Sequence, residues 1–455
     1  MSPVSPATWT RGLLDRAAVG PGALTLLGTG LVDATGTGLY LAGSAVFFNM
    51  VIGLSPAQVG FGLSSAGLLG LLAAPSLGWC ADRWGARRVL VLLHVWRALA
   101  FALLSVAPGF GWFLVATSMI GVGQQALSPV YQALVEELLG SRARLAMMAR
   151  SRVVYNVGFS LGGVLATVVI GLGSRTGFTV MILGNAGCCL ATALLLMRLR
   201  VPRRSPSQDH ASPSQDHATS RSPFHLRSLR DGRYLAVAAL NGVLSLHISI
   251  LSIGLPLWVT LHTSAPRALA GLLLVINTIM AVVLQVPASG GADTIDGGTR
   301  ALARGGYALS LCCLVLALSP HVSSGALAAG LLVLAVVVLT GSEIWQSAGG
   351  WGLSYALATQ TNRAESLSTF NLGISGQYVL GPALITVGVL DHGVLGWLGL
   401  ALVFAATAAA VPGAVARAAR RPALHPGTPV PDSPDPRTAP EPLTAKESRT
   451  VQESE

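Results

Sequence analysis

Charge is what this sequence has least of. Only 11% of its 455 residues are Asp, Glu, Lys or Arg, against roughly 25% in an ordinary soluble domain. Hydrophobic residues make up 52% and the mean hydropathy is +0.63. A chain of this length cannot hide so much apolar surface from water in a core of its own, which excludes a soluble protein and implies a lipid bilayer. Cysteine is also scarce. Cys188–Cys189 and Cys312–Cys313 lie in apolar runs, Cys80 stands alone, and no His or further Cys follows at metal-ligand spacing. Such cysteines predict small packing residues in helices rather than redox or metal chemistry.

Other absences narrow the class further. No G-x-x-x-x-G-K-[ST] phosphate loop occurs, so ATP is not the expected drive. No paired histidines for haem, no Ser/His/Asp grouping and no soluble signalling domain suggest a membrane enzyme or sensor, and no cofactor is implied. Lysine is almost missing: Lys446 is the only one, and arginine carries the net charge of +10. No soluble basic domain exists to hold nucleic acid. Residues 1–20 contain Arg11, Asp15 and Arg16 but no apolar core, so the first apolar span predicts an uncleaved anchor.

Apolar runs long enough to cross about 30 Å of hydrocarbon as helices recur along the chain. They fall at 22–50, 58–80, 89–107, 111–135, 153–173, 177–197, 234–261, 267–287, 301–319, 324–349, 368–390 and 393–416. With the first terminus inside, arginines crowd into alternate connections. One face receives Arg83, Arg87, Arg88, Arg142, Arg144, Arg150 and Arg152, then eight more between Arg198 and Arg233. Arg300, Arg304, Arg363, Arg417, Arg420 and Arg421 follow on that face, while the opposite loops hold Arg175 and Arg267 alone. Positive charge stays on the cytoplasmic side of a membrane, which predicts cytoplasmic termini and an even number of spans.

Residues 199–230 differ in kind. They hold a tandem repeat, Ser205-Pro-Ser-Gln-Asp-His-Ala211 and then Ser212-Pro-Ser-Gln-Asp-His-Ala218. Polar, Pro-containing repeats bury no core and predict a flexible linker. His210 and His217 are read as solvated residues rather than metal ligands. The chain then divides into a six-helix half over 1–198, the linker over 199–230, a second six-helix half over 231–421 and a disordered cytoplasmic tail over 422–455. Tyr155-Asn156-Val157-Gly158-Phe159-Ser160 in span five mirrors Phe370-Asn371-Leu372-Gly373-Ile374-Ser375 in span eleven, at matching places in a six-helix repeat. Duplicated halves are usual in alternating-access transporters, with the site at their interface.

Between spans two and three the sequence reads Gly78-Trp-Cys-Ala-Asp82-Arg83-Trp-Gly85-Ala-Arg87-Arg88. This resembles the cytoplasmic G-x-x-x-D-R-x-G-x-R-R signature of the major facilitator superfamily. With twelve spans and a central loop, the resemblance covers about residues 20–420. It implies an all-α membrane fold of two pseudo-symmetric six-helix bundles. Gly78 and Gly85 permit close approach and a tight turn. Asp82 can accept from a neighbouring helix N-terminus or pair with Arg, making an inner-face clasp that one conformer forms and the other breaks. The alternative is that these arginines only set topology. The corresponding loop of the second half, Gly290 to Arg300, is degraded. Drug-proton antiporters of the superfamily carry Gly-Pro in span five; here Gly381-Pro382 lies in span eleven.

Ionisable groups at bilayer depth are costly, about 2.5–3.5 kcal/mol each on insertion scales, and are functional suspects. Asp33 sits about 15 Å from the inner surface at 1.5 Å per residue. A carboxylate taken out of water binds a proton more readily, which makes Asp33 the first candidate for proton coupling; the alternative is a structural pair with Arg97. Glu343 in span ten is the second candidate. In the resembled family helices one, four, seven and ten line the cavity. That would gather Gln124, Gln125, Asn241, His247, Trp345 and Gln346 around the pathway, to suit a moderately amphipathic substrate. Helix-to-helix hydrogen bonding is the competing role for the polar members. The expected function is proton-coupled export of small organic compounds from a bacterial cell by a monomer in the plasma membrane. Uptake of a nutrient by symport or facilitated diffusion is the alternative.

Overall fold

Capping residues and glycines decide where the helices begin and turn. The computed structural model describes residues 21–199, 231–288, 294–358 and 363–420, and no strand occurs among the described residues. The tandem repeat and the tail lie outside them. After α1 (Pro21–Met50), α2 (Pro56–Trp84) opens on a capping box. The Ser55 side chain accepts from the Gln58 N–H, and the Gln58 side chain accepts from the Ser55 N–H, closing two donors that a first turn leaves unpaired. Gly85 alone separates α2 from α3 (Ala86–Ser105). Its φ of +89° is a conformation residues with a Cβ rarely adopt.

Helical backbone then continues unbroken from Phe110 to Leu172, 63 residues. Straight, this would measure about 95 Å, three times the hydrocarbon thickness. Instead, the Tyr131 and Ser151 hydroxyls meet at 3.0 Å although they stand 20 residues apart, a separation of about 30 Å along a straight helix. The chain therefore folds back between them into two arms, α4 (110–139) and α5 (Arg150–Leu172). α6 (Arg175–Arg198) completes the first half.

The second half holds α7 (Gly232–His262), α8 (Leu269–Ala288), α9 (Ile295–Leu318) and α10 (Gly325–Ala356). It ends with α11 (Arg363–Ala383, continuing through a π-helical stretch at Leu384–Val389) and α12 (Val394–Ala419). α9 starts earlier than its apolar run because Thr294 caps it, its Oγ1 accepting from the Gly297 N–H at 3.0 Å. The π stretch of α11 follows Pro382, whose missing N–H and bulky ring disturb the regular ladder. Among the described residues, ten helices are long and apolar enough to cross a membrane. α4, which carries Gln124 and Gln125, and α8, apolar over Leu269–Leu284, bring the helical passages to twelve.

Each half has its own core. In the first, Phe48 and Phe113 meet edge to face at 4.8 Å. In the second, Trp258 packs edge-on against Trp397 at 5.5 Å and donates its indole N–H to Ser319 Oγ at 2.9 Å. The Asn-x-Gly-x-Ser match does the same work in both. Gly158 of α5 sits against the Leu31 carbonyl of α1, and Gly373 of α11 against the Ala238 carbonyl of α7, with no room for a Cβ at either crossing. Small residues let membrane helices approach backbone to backbone.

The halves meet through α2 with α11 and α5 with α8. Gly67 stands against the Tyr378 carbonyl, and the Ala383 N–H donates to Ser64 Oγ at 3.1 Å. Gly271 of α8 rests on Thr167 of α5. These contacts use the start of α2 and α8 and the end of α5 and α11, so they lie at the end of the molecule opposite the Gly85 turn.

Candidate functional site

Two polar groupings interrupt the apolar interior. The first joins α1, α3 and α6 inside the first half. Arg97, 1% exposed, donates to Asp33 Oδ1 at 2.7 Å. His94 Nδ1 lies 3.6 Å from the same oxygen and 3.4 Å from the guanidinium. An i, i+3 spacing puts His94 and Arg97 on one face of α3, and Phe101, one turn on, lies beneath the guanidinium at 5.9 Å. Ligand atoms of Asp33, His94 and Cys189 come within 4.8 Å of one another. The guanidinium bonded to Asp33 puts a fixed positive charge among them, so the set reads as a buried ion pair, not a cation site. Arg97 Nε and both polar side-chain atoms of the buried Asn185 of α6 have no hydrogen-bond partner among the described residues.

The second grouping lies between the halves. A cavity of about 300 Å³ is walled by Leu41 of α1 and by α5 of the first half, and by α7, α8 and α10 of the second. Along α5 the lining residues 152–159 precede those that touch α8, and along α8 residues 274–282 follow the Gly271 contact. The cavity thus lies on the Gly85 side of the closed end. Glu343 is its acidic member, and its carboxylate accepts from Asn277 Nδ2 at 2.9 Å. The same amide also donates to Thr340 Oγ1 at 3.0 Å, fixing its orientation. Across the cavity stand Arg152, Tyr155 and Asn156 of α5.

Of the residues singled out from sequence, His247 and Glu343 line the cavity together. His247 Nδ1 also lies 3.0 Å from the Leu244 carbonyl. Asn241 and Gln346 join each other instead: the Gln346 amide donates to Asn241 Oδ1 at 2.8 Å and to Ser245 Oγ at 3.1 Å, tying α7 to α10. Gln125 packs its stem toward Gly70 of α2, Gln124 is exposed and Trp345 is half-buried; none lines the cavity. Sequence reasoning passed over Arg152, counted only as a loop charge, and Asn277, a lone amide in the apolar run of α8. That isolation was the available signal.

At the Gly85 turn, Asp82, Arg83 and Arg88 are exposed, and Asp82 has no partner among the described residues. The Arg83 guanidinium sits 5.9 Å from the Trp79 ring. Arg87 Nε donates to the Leu196 carbonyl at 3.0 Å, and a second guanidinium nitrogen donates to the Met197 carbonyl. Arg87 therefore closes carbonyls at the C-terminus of α6, where the helix dipole favours a cation. Gly78 lies on α2 with open space around it.

Two helical halves, membrane-crossing by length and apolarity, with a cavity at their interface, form the architecture of alternating-access membrane proteins. The chain belongs to the major facilitator superfamily, whose family model matches residues 25–361. A probable 4-methylmuconolactone transporter of Cupriavidus pinatubonensis (strain JMP 134 / LMG 1197) is 26% identical over 235 residues, which cover 50% of this chain and 52% of that protein. The chain spans between 18% and 52% of the lengths of the curated relatives it matches. Among solved structures, the nucleoside transporter NupG superposes with a TM-score of 0.68 at 16% identity, covering 88% of this chain and 100% of that one. A D-xylose-proton symporter superposes at 0.64 and 16%, covering 86% and 96%. At these identities the likeness is one of fold.

Proposed function

We propose that the chain exports small organic compounds by alternating access, driven by protons, with Glu343 as the coupling carboxylate. Glu343 carries this reading. It borders the cavity between the halves, its recorded partner is the neutral amide of Asn277, and no ion pair among the described residues includes it. A proton can therefore enter or leave that carboxylate without breaking an ion pair. Asp33, bonded to Arg97 at 2.7 Å, is assigned to holding α1 against α3.

Loop arginines support an orientation with the Gly85 turn and both termini in the cytoplasm. The contacts of α2 with α11 and α5 with α8 then close the outer face, and the cavity would load from inside, as export requires. Rocking of the halves that parts those contacts would expose Glu343 to the outer medium. The setting we assign is a bacterial plasma membrane and the working unit a monomer. Small organic cargo also accords with the muconolactone named for the Cupriavidus relative.

The test uses inverted membrane vesicles and a panel of radiolabelled metabolites. Accumulation on energisation, abolished by a protonophore, is expected for an exporter. Glu343→Gln should remove the response to the proton gradient, while counterflow exchange persists at a cargo concentration high enough to saturate the site. Accumulation in right-side-out vesicles alone would reverse the direction, and an unchanged gradient response in Glu343→Gln would overturn the coupling role.

A further inference from the structure

Arg152 and Glu343 present opposite charges to one cavity from opposite halves of the molecule, and no ion pair joins them. Arg152 is exposed and has no partner among the described residues. Glu343 accepts from Asn277 and retains lone pairs for a further donor. A single-charge cargo would leave one of these groups without a counter-ion, at a cost that rises as the cavity closes and water leaves it.

We infer that the cargo is an organic zwitterion, an amino-carboxylate with a compact apolar body. The carboxylate would lie against the planar fork of Arg152, which matches two oxygens at once. The ammonium would face the Glu343 carboxylate. The same cavity wall supplies Leu251, Leu274 and Phe159 for the apolar part. A volume of about 300 Å³ is at the small end of organic-ligand sites, which suits a single amino acid or a similar monomer rather than a long chain. Because each charge belongs to a different half, such a molecule would bridge them and favour the closed cavity. The inference rests on this cavity being the transport site; it needs neither the export direction nor the proton coupling.

Binding to the purified full chain in detergent, without any gradient, separates the inference from the coupling reading. The probes are phenylalanine, its methyl ester (cation only) and N-acetylphenylalanine (anion only), followed by thermal shift and by displacement of labelled phenylalanine. Phenylalanine should bind more tightly than either single-charge analogue. Arg152→Gln and Glu343→Gln should each weaken it about ten- to hundredfold. Arg152→Gln should leave the ester unaffected, and Glu343→Gln the acetyl derivative. Equal or tighter binding of either analogue would overturn the inference, as would binding of none of the three. Loss of phenylalanine binding in both variants without this analogue selectivity would also overturn it, since general unfolding gives that pattern.

Discussion

Replacing Asp33 with Asn strands a guanidinium in the interior. Arg97 is 1% exposed, its Nη1 donates to Asp33 at 2.7 Å, and its Nε already lacks a partner. At that separation and an effective dielectric of about 20, the pair attracts by roughly 6 kcal/mol before desolvation is set against it. Losing one partner of such a pair typically costs about 3–5 kcal/mol, because the remaining charge stays buried. Asp33→Asn and Arg97→Gln should therefore each destabilise the chain on that scale. The double variant buries neutral amides and should be more stable than the two losses summed, by about 2–4 kcal/mol. Equilibrium unfolding in mixed detergent micelles, over the four members of the cycle, measures this coupling. An additive result, within about 0.5 kcal/mol, would refute the argument. The same double variant bears on transport. If Glu343 couples the proton, the doubly substituted chain should keep its response to a proton gradient once expression is matched.

Other expectations rest on single contacts. Gly158→Ala and Gly373→Ala each force a Cβ into a neighbouring carbonyl and should lower stability by about 1–3 kcal/mol, whereas Gly187→Ala, with open space around it, should not; thermal unfolding by intrinsic fluorescence compares them. Gly85→Ala must adopt φ +89° in the one-residue turn between α2 and α3 and should cost about 1–3 kcal/mol, read as reduced membrane yield and melting temperature. Ser64→Cys with Ala383→Cys should cross-link under mild oxidation, since the Ser64 hydroxyl meets the Ala383 amide. If the halves must part there, the cross-link stops transport and a reductant restores it; transport that survives full cross-linking would contradict a rocking motion that opens this contact.

The fold was legible because its causes are local. Apolar run length and loop charge need no tertiary knowledge, and they supplied the helical passages and two halves. Gly158 and Gly373 were recognisable as repeat-related, although their shared role at a helix crossing needed the partners' positions. The reversal inside 110–172 was legible too, while the helical backbone hides it and only the Tyr131–Ser151 bond reveals it. The site was harder. Polar residues in membrane helices have two uses, and sequence cannot show which way each helix is rotated. Asn241 and Gln346, both buried, bond to each other and leave Asn241 Nδ2 without a partner among the described residues; His247 and Glu343, on the same two helices, turn to the cavity. A rotation of about 100° per residue decides between those fates, and it is set by packing of the opposite face.

That rotation also explains why two carboxylates, ranked first and second from sequence, receive the opposite order of assignment. Asp33 and Glu343 both stand within apolar spans, yet Asp33 lies against a buried arginine of its own half. That ion pair need not break when one half tilts against the other, because α1 and α3 move together. Glu343 faces the boundary between halves, where accessibility to water changes with the tilt. A group can convert a proton gradient into motion only if its protonation energy differs between the two conformers. An intact ion pair inside one rigid half changes little between them, whereas a carboxylate on the cavity wall would gain or lose water and cargo as its neighbours. On that physical ground the coupling charge belongs at the interface, and the interior pair belongs to the framework that turns about it.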